Sequence, residues 1–144
     1  KLNLRHVVIT SVDRADLNNG WSNHYYKDIN QTRKVNPKTT IETLIPDFKG
    51  ETENIDRIIE VAPEVVSHNL ETVRRLTKSV RIQAKYDRSL EVLRRLGKAG
   101  LRTKSGIMLG LGESKEEVIE AMDDLRSVGV HVLTLGPALE RRHY

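Results

Sequence analysis

Three short stretches carry residue types that could do chemistry. Thr10-Ser11-Val12-Asp13-Arg14 sets two hydroxyls, an acid and a base at the end of a β-branched run. His68-Asn69-Leu70-Glu71 follows Val65-Val66-Ser67 and offers an imidazole, a carboxamide and a carboxylate. Thr103-Lys104-Ser105-Gly106-Ile107-Met108-Leu109-Gly110-Leu111-Gly112-Glu113 starts polar, runs apolar and ends in glycines and an acid. Such groups suit recognition of a small molecule's amine, carboxylate or hydroxyls. They do not suit a phosphate loop. Ser114 and Lys115 stand where the third glycine of G-x-G-x-x-G would be, and G-K-[ST] is missing. No Ser/His/Asp nucleophile motif occurs either.

Each stretch also has a bland reading. Asp13 or Asp16 beside Arg14 could form a loop salt bridge. Asn69 could cap a following helix, and His68 could be a satisfied buried histidine. His68 with Glu71 is only two ligands, too few for a metal centre. Gly110 and Gly112 could be plain turn geometry, or could let the backbone approach a ligand. Lys104 near a barrel interior needs a partner or a role, and a Schiff-base amine has no independent support. Tyr86, Asp87, Arg88 and Ser89 most simply begin a helix.

The elements that must position these residues follow from hydrophobic periodicity. Residues 6–12 are predicted as a buried strand, followed by a long polar loop. A helix over 22–33 turns Tyr25, Tyr26 and Ile29 inward and ends before Asn36-Pro37. Residues 40–45 form a second strand. Thr52 caps a short helix carrying Ile55, Ile58 and Ile59 on one face, and Pro63 stops it. Residues 65–67 make a third strand. Two helices follow: one to residue 79, with Leu70, Val73 and Leu76 on one side, and one over 87–99, with Leu90, Leu93 and Leu96 inward and Gly100 beyond its end. The third chemical stretch is the fourth strand. Ser114 with Glu117 is a capping box, opening a helix with a stripe of Val118, Ile119, Met122 and Leu125 that Gly129 terminates. Residues 130–135 form a fifth strand, broken by Gly136-Pro137.

Strands alternating with helices imply a parallel sheet with right-handed crossovers, so the class is α/β. A partial (β/α) TIM-type barrel of about five βα units competes with an open doubly wound sheet. Polar clusters after the first four strands favour the barrel, where such loops converge on one mouth.

The chain's 144 residues suffice for one domain with a core, 1–144. With 38% hydrophobic and 31% charged residues, it reads as an ordinary globular protein. No apolar run nears the ~20 residues that span a bilayer, and no signal peptide is visible. The net charge of +4 is mild and aromatics make up 4%, which argues against a nucleic-acid partner. Cysteine is absent, which excludes disulfides and thiolate ligands within these residues. Position 1 is Lys rather than Met, and the ends abut strands, so a piece of a longer protein is expected.

Taken jointly, the motifs resemble the lipoyl synthases, a radical S-adenosylmethionine family. The resemblance rests on residues 8–17, Asn36-Pro37, residues 41–50, residues 68–73, Tyr86 with Ser89-Leu90, residues 103–113, residues 124–126 and residues 133–136, in this order and spacing. It implies a partial barrel that binds S-adenosylmethionine at its strand ends. It also implies insertion of two sulfur atoms into an octanoyl chain on a lysine of a lipoyl domain or of the glycine-cleavage H protein. Two four-iron four-sulfur clusters would serve this: one cleaves S-adenosylmethionine to a radical, and the other supplies sulfur. An external electron donor, no membrane, and a cytoplasmic location (mitochondrial in a eukaryote) are further implications.

Carried over residue by residue, the resemblance assigns Ser11, Asp13, Asn69, Glu71, Lys104, Met108 and Glu113 to cofactor binding. It assigns Thr10, Arg14, His68 and Ser105 to the substrate side, with no metal ligand in this chain. The family's cluster cysteines precede the first strand and a serine ligand lies beyond the last residue, so neither cluster can be built from these residues. Residues 17–22 and 137–140 also depart from the family pattern. Another radical or cofactor-dependent barrel enzyme, or a cysteine-free non-catalytic unit, are the alternatives.

Overall fold

The structure is a computed structural model that describes residues 4–11 and 22–138. Asp13, Arg14 and Trp21 lie outside the described residues. The elements in order are β1 His6–Thr10, α1 Ser22–Val35, β2 Thr40–Leu44, α2 Thr52–Val61, β3 Val65–Ser67, α3 Thr77–Val80, α4 Tyr86–Lys98, β4 Thr103–Leu109, α5 Lys115–Ser127 and β5 Val132–Pro137. Short 3-10 turns at Phe48–Gly50 and Arg74–Leu76 complete the set.

All strands are parallel and the sheet runs in sequence order, β1-β2-β3-β4-β5. A doubly wound sheet reverses its strand order at a switch point. No reversal occurs here, so successive right-handed crossovers put every helix on the same face. That arrangement is an arc of a (β/α) barrel.

The helix-side face carries the core. Ile41 and Ile45 of the β2 region and Val66 of β3 pack with Tyr25, Ile29, Ile55, Ile58 and Leu96. Ile107 of β4 packs with Leu70, Val73, Tyr86, Leu93, Ala121 and Leu125. Ile58, Leu93 and Leu96 are fully buried, and truncating any of them to Ala costs about 2–5 kcal/mol. Because side chains alternate along a strand, the residues between these face the other way, into the concave face: even-numbered ones in β1, β2, β4 and β5, odd-numbered ones in β3. His6, Val8, Thr10, Glu42, Ser67, Lys104, Gly106, Met108 and Thr134 therefore line the lumen.

Local chemistry explains the element ends. Ser114 accepts a hydrogen bond from the Glu117 N–H, and the Glu117 carboxylate accepts one from the Ser114 N–H. The capping box is thus complete. Gly129 at φ 83 and Gly100 at φ 86 take the left-handed conformation just past α5 and α4.

Several expectations change. Thr52 is the first residue of α2 and does not cap it; Glu51 holds the cap position, without a side-chain bond. Residues 70–76 do not continue a helix. Glu71 instead bridges to Ile107 of β4, donating its N–H to the Gly106 carbonyl and accepting from the Met108 N–H. Leu70 and Val73 are still buried as expected, because spacing by three also suits a tight irregular turn. On α5 the buried stripe is Ala121 and Leu125, while Ile119 and Met122 are exposed. Gly136 and Pro137 extend β5 rather than break it, since an edge strand tolerates a proline with no N–H to give.

Candidate functional site

The C-terminal ends of parallel strands gather the chemically able residues at the lumen mouth. Strand β3 ends at Ser67, and the chain then passes through His68 and Asn69 to Glu71. Glu71 sits at φ 70, left-handed and strained for a residue with a side chain, and the two backbone bonds to β4 hold it there. Its carboxylate accepts no hydrogen bond among the described residues. Phe48, Lys49 and Ala62 also take positive φ, but Glu71 alone of the four sits at the end of the lumen with its carboxylate unpaired among the described residues.

Gly106 explains how Asn69 reaches the lumen. A Cβ on Gly106 would lie 2.9 Å from Asn69 Oδ1 and 3.1 Å from Thr134 Oγ1. The Asn69 carboxamide thus lies across β4 in space that only glycine leaves free. No helix follows at residue 70, so Asn69 is not a helix cap.

Below this mouth lies a charged network. Lys104 Nζ donates to Glu42 Oε1 at 2.9 Å, Ser67 Oγ donates to the same oxygen at 2.6 Å, and His6 Nε2 lies 3.6 Å from Oε2. Burial acts to raise the Glu42 carboxyl pKa. The Ser67 and Lys104 hydrogen bonds and the charges of Lys104 and His6 outweigh it, so the net shift is downward. Lys104 therefore has its partner. Glu42 is the residue that sequence reasoning missed, although an acid inside a short strand pattern was the available signal.

Other expected residues lie elsewhere. His68 is fully buried on the helix side, with Nδ1 2.9 Å from the Ile45 carbonyl and Nε2 2.9 Å from Ser89 Oγ. Burial lowers its pKa, opposed by the bond to Ile45. It ties β2 and β3 to α4 and does not line the mouth. Ser105 is likewise buried, accepting from the Leu70 N–H at 3.1 Å. Ser11 pairs with the Tyr25 hydroxyl at 2.9 Å. Because Tyr25 donates to the Leu44 carbonyl, Ser11 is the donor in that pair. Thr10 is exposed at the end of β1, on the lumen side.

The Glu113 carboxylate is occupied. Its oxygens accept from the Gly110 N–H at 2.6 Å and the Leu111 N–H at 2.8 Å. These bonds, Gly110 first, hold its pKa below the ordinary carboxylate value. Gly110 at φ 96 and Gly112 at φ 99 need glycine for their conformation. Glu113 thus shapes the turn after β4, and its carboxylate is taken up by that turn. Among the described residues no cluster of three or more metal-ligating side chains exists.

Residues 1–125 match the radical SAM superfamily description. The chain belongs to the radical SAM superfamily. The superfamily implies S-adenosylmethionine and a four-iron four-sulfur cluster, and the partial barrel is its fold.

The chain is 62% identical over 140 residues to the lipoyl synthase of Flavobacterium johnsoniae, covering 96% of this chain and 49% of that protein. It is 60% identical to the mitochondrial lipoyl synthase of Nematostella vectensis, covering 96% and 48% respectively. The chain thus spans about half the length of the curated relatives it matches. Among solved structures, methylornithine synthase superposes with a TM-score of 0.79 at 14% identity, covering 97% of this chain and 41% of that one. A radical S-adenosylmethionine methyltransferase from Kitasatospora setae, with cobalamin and a [4Fe-4S] cluster bound, gives 0.58 at 16% identity, covering 81% and 25%. At such identities these likenesses show the fold alone. No helix among the described residues is long and apolar enough to cross a membrane.

The residues present differ in how they fit the two groups that the superfamily implies. A four-iron four-sulfur cluster needs thiolates, and this chain has no cysteine. S-adenosylmethionine needs acceptors for its ammonium and hydroxyls and a close backbone. The free Glu71 carboxylate, the Asn69 carboxamide over Gly106 and the glycine turn after β4 fit that need.

Proposed function

We propose that this chain is the S-adenosylmethionine- and substrate-binding barrel segment of a lipoyl synthase. That enzyme inserts sulfur at two carbons of an octanoyl chain carried on a protein lysine. The observation that carries the reading is the convergence of Asn69, strained Glu71 and Gly106 at one mouth, in a chain 62% identical to a lipoyl synthase over 96% of its length.

Bound S-adenosylmethionine supplies the hydrogen-abstracting group. This chain's residues bind and orient it. Asn69 and Glu71 would hold its polar groups, and the glycines at 110 and 112 would let the turn's backbone come near it. Met108, Val8 and Val132 give the lumen an apolar lining, which favours abstraction of only the intended hydrogen. The Glu42–Lys104 pair closes the floor. Clusters, of which two are proposed, take their ligands from outside this chain. The proposed partners are an octanoylated lipoyl domain or glycine-cleavage H protein and an electron donor. A bacterial source would place the enzyme in the cytoplasm, a eukaryotic one in mitochondria.

The test is reconstitution of the full-length protein with iron and sulfide, then mass spectrometry of an octanoylated lipoyl-domain peptide. A mass gain of two sulfur atoms is expected; no gain overturns the reading. In the same protein Asn69→Ala and Glu71→Ala each weaken S-adenosylmethionine binding by about tenfold, the worth of one ligand hydrogen bond. Unchanged affinity in both folded variants would leave these residues a purely structural role.

A further inference from the structure

The mouth has two walls, one after β3 and one after β4, and besides the Glu71 backbone bridge an exposed side chain joins them. Arg75 stands in the 3-10 turn Arg74–Leu76, just past Glu71. Its Nε donates to Glu117 Oε1 at 2.7 Å, and an Nη donates to Glu117 Oε2 at 2.9 Å. The same Nη donates to the Gly112 carbonyl at 2.9 Å. Glu117 in turn accepts from the Ser114 N–H, and Glu113 holds the Gly110 and Leu111 amides. The guanidinium therefore ties the segment after β3 to Gly112 directly and to Ser114 through Glu117, while Glu113 closes the bend at Gly110 and Leu111. The Arg75 hydrogen bond, with that of Ser114, holds the Glu117 carboxyl down at about 2, so the pair stays charged at any working pH.

We infer that Arg75 is a positioning residue: its guanidinium latches the turn 110–113 to the β3 wall and so presets the mouth for S-adenosylmethionine. The inference rests on the reading of this mouth as the S-adenosylmethionine site. Glu113 closes the turn on itself, and Arg75 ties that turn to the segment after β3, so loosening the tie would shift part of the ordering cost onto the ligand's binding energy. Only a planar fork reaches a carboxylate bidentately and a carbonyl at once, so lysine cannot replace it. Arg74 provides the control. It is comparably exposed but binds Asp87 and Asp124 and stacks over the Tyr86 ring, away from the turn.

The experiment compares Arg75→Ala, Arg75→Lys and Arg74→Ala in the full-length protein. Hydrogen exchange of residues 110–114 without ligand and the equilibrium Kd for S-adenosylmethionine are read in each. Arg75→Ala is expected to exchange about threefold to fivefold faster there and to bind about threefold to fivefold more weakly, the most an exposed latch supplies. Arg75→Lys should fall with Arg75→Ala, and Arg74→Ala should match wild type in both readouts. A surface ion pair contributes little to stability, so all variants fold. Unchanged exchange in Arg75→Ala overturns the latch. Faster exchange with unchanged Kd overturns its role in presetting the site. A wild-type protein that fails to bind S-adenosylmethionine instead sinks the reading of the mouth, whatever the exchange shows.

Discussion

Gly106 is the position where a single methyl group tests the geometry of the mouth. In Gly106→Ala the new Cβ would meet Asn69 Oδ1 at 2.9 Å and Thr134 Oγ1 at 3.1 Å, closer than a relaxed contact allows. Two effects oppose each other in stability. Overpacking costs about 1–3 kcal/mol, while replacing a strand glycine recovers about 0.5–1 kcal/mol of backbone entropy. Asn69 is only half-buried and can swing away, which keeps the cost near the low end, so the two effects nearly cancel and the net loss is at most about 0.5 kcal/mol. Ligand binding should suffer more, because the displaced carboxamide is the group proposed to meet S-adenosylmethionine. Losing that hydrogen bond weakens binding about tenfold. The assay is urea unfolding with S-adenosylmethionine titration for Gly106→Ala, Asn69→Ala and the double variant. With Asn69 truncated the methyl finds room, so the double variant should bind no worse than Asn69→Ala and regain stability. Additive losses in both quantities would refute the claim that Gly106 exists to seat Asn69.

Two further outcomes follow from the buried polar groups. Lys104→Met leaves the Glu42 carboxylate, only 10% exposed, without the Lys104 ammonium and with only His6, 3.6 Å away, as a basic partner. The expected loss is about 2 kcal/mol in urea unfolding, below the usual cost of breaking a fully buried pair because Lys104 is partly exposed; adding Glu42→Gln should recover much of it. If Lys104→Met alone is neutral, the pair is not a floor. For His68, the folded pKa lies below its unfolded value of 6.5, so the unfolded chain takes up the proton first as pH falls. Stability attributable to His68 is full above pH 6.5 and declines below it, by at most about 1.4 kcal/mol per pH unit. Denaturation between pH 7.5 and 5.5, as an assay range of about two units around that value, should show a shallower acid loss in His68→Gln than in wild type. Equal slopes would mean that the fold does not lower the His68 pKa.

Long periodic segments were legible from sequence because their burial is decided locally. The helix α4 showed its leucine spacing, and α5 showed its capping box. The register-bearing strand β4 showed its apolar run between polar and glycine ends. The α5 stripe was misread because Ile119 and Met122 share the apolar character of Leu125. Which arc of a helix is buried depends on the sheet beneath it, and periodicity alone leaves that arc uncertain by a residue or two. The helix expected after residue 70 failed for a related reason. Leu70 and Val73 are buried as their spacing requires, but pairing with β4 captured the Glu71 backbone first, and a residue bonded to a strand cannot also enter a helix.

The sequence alone determined that strands and helices alternate, that no thiolate can hold a metal here, and which stretches carry acids, amides and glycines. Those are properties of composition and local spacing. Only the tertiary structure decided which of these residues meet. Alternation along a strand sends neighbours to opposite faces, so His68 and Ser105 went into the helix-side core while Asn69 and Lys104 went into the lumen. The choice between them turns on a one-residue register that no motif encodes. The partners Glu42 for Lys104 and Arg75 for the glycine turn lie 62 and 37 residues away in sequence. Contacts at that range exist only once the parallel sheet has brought its strand ends together.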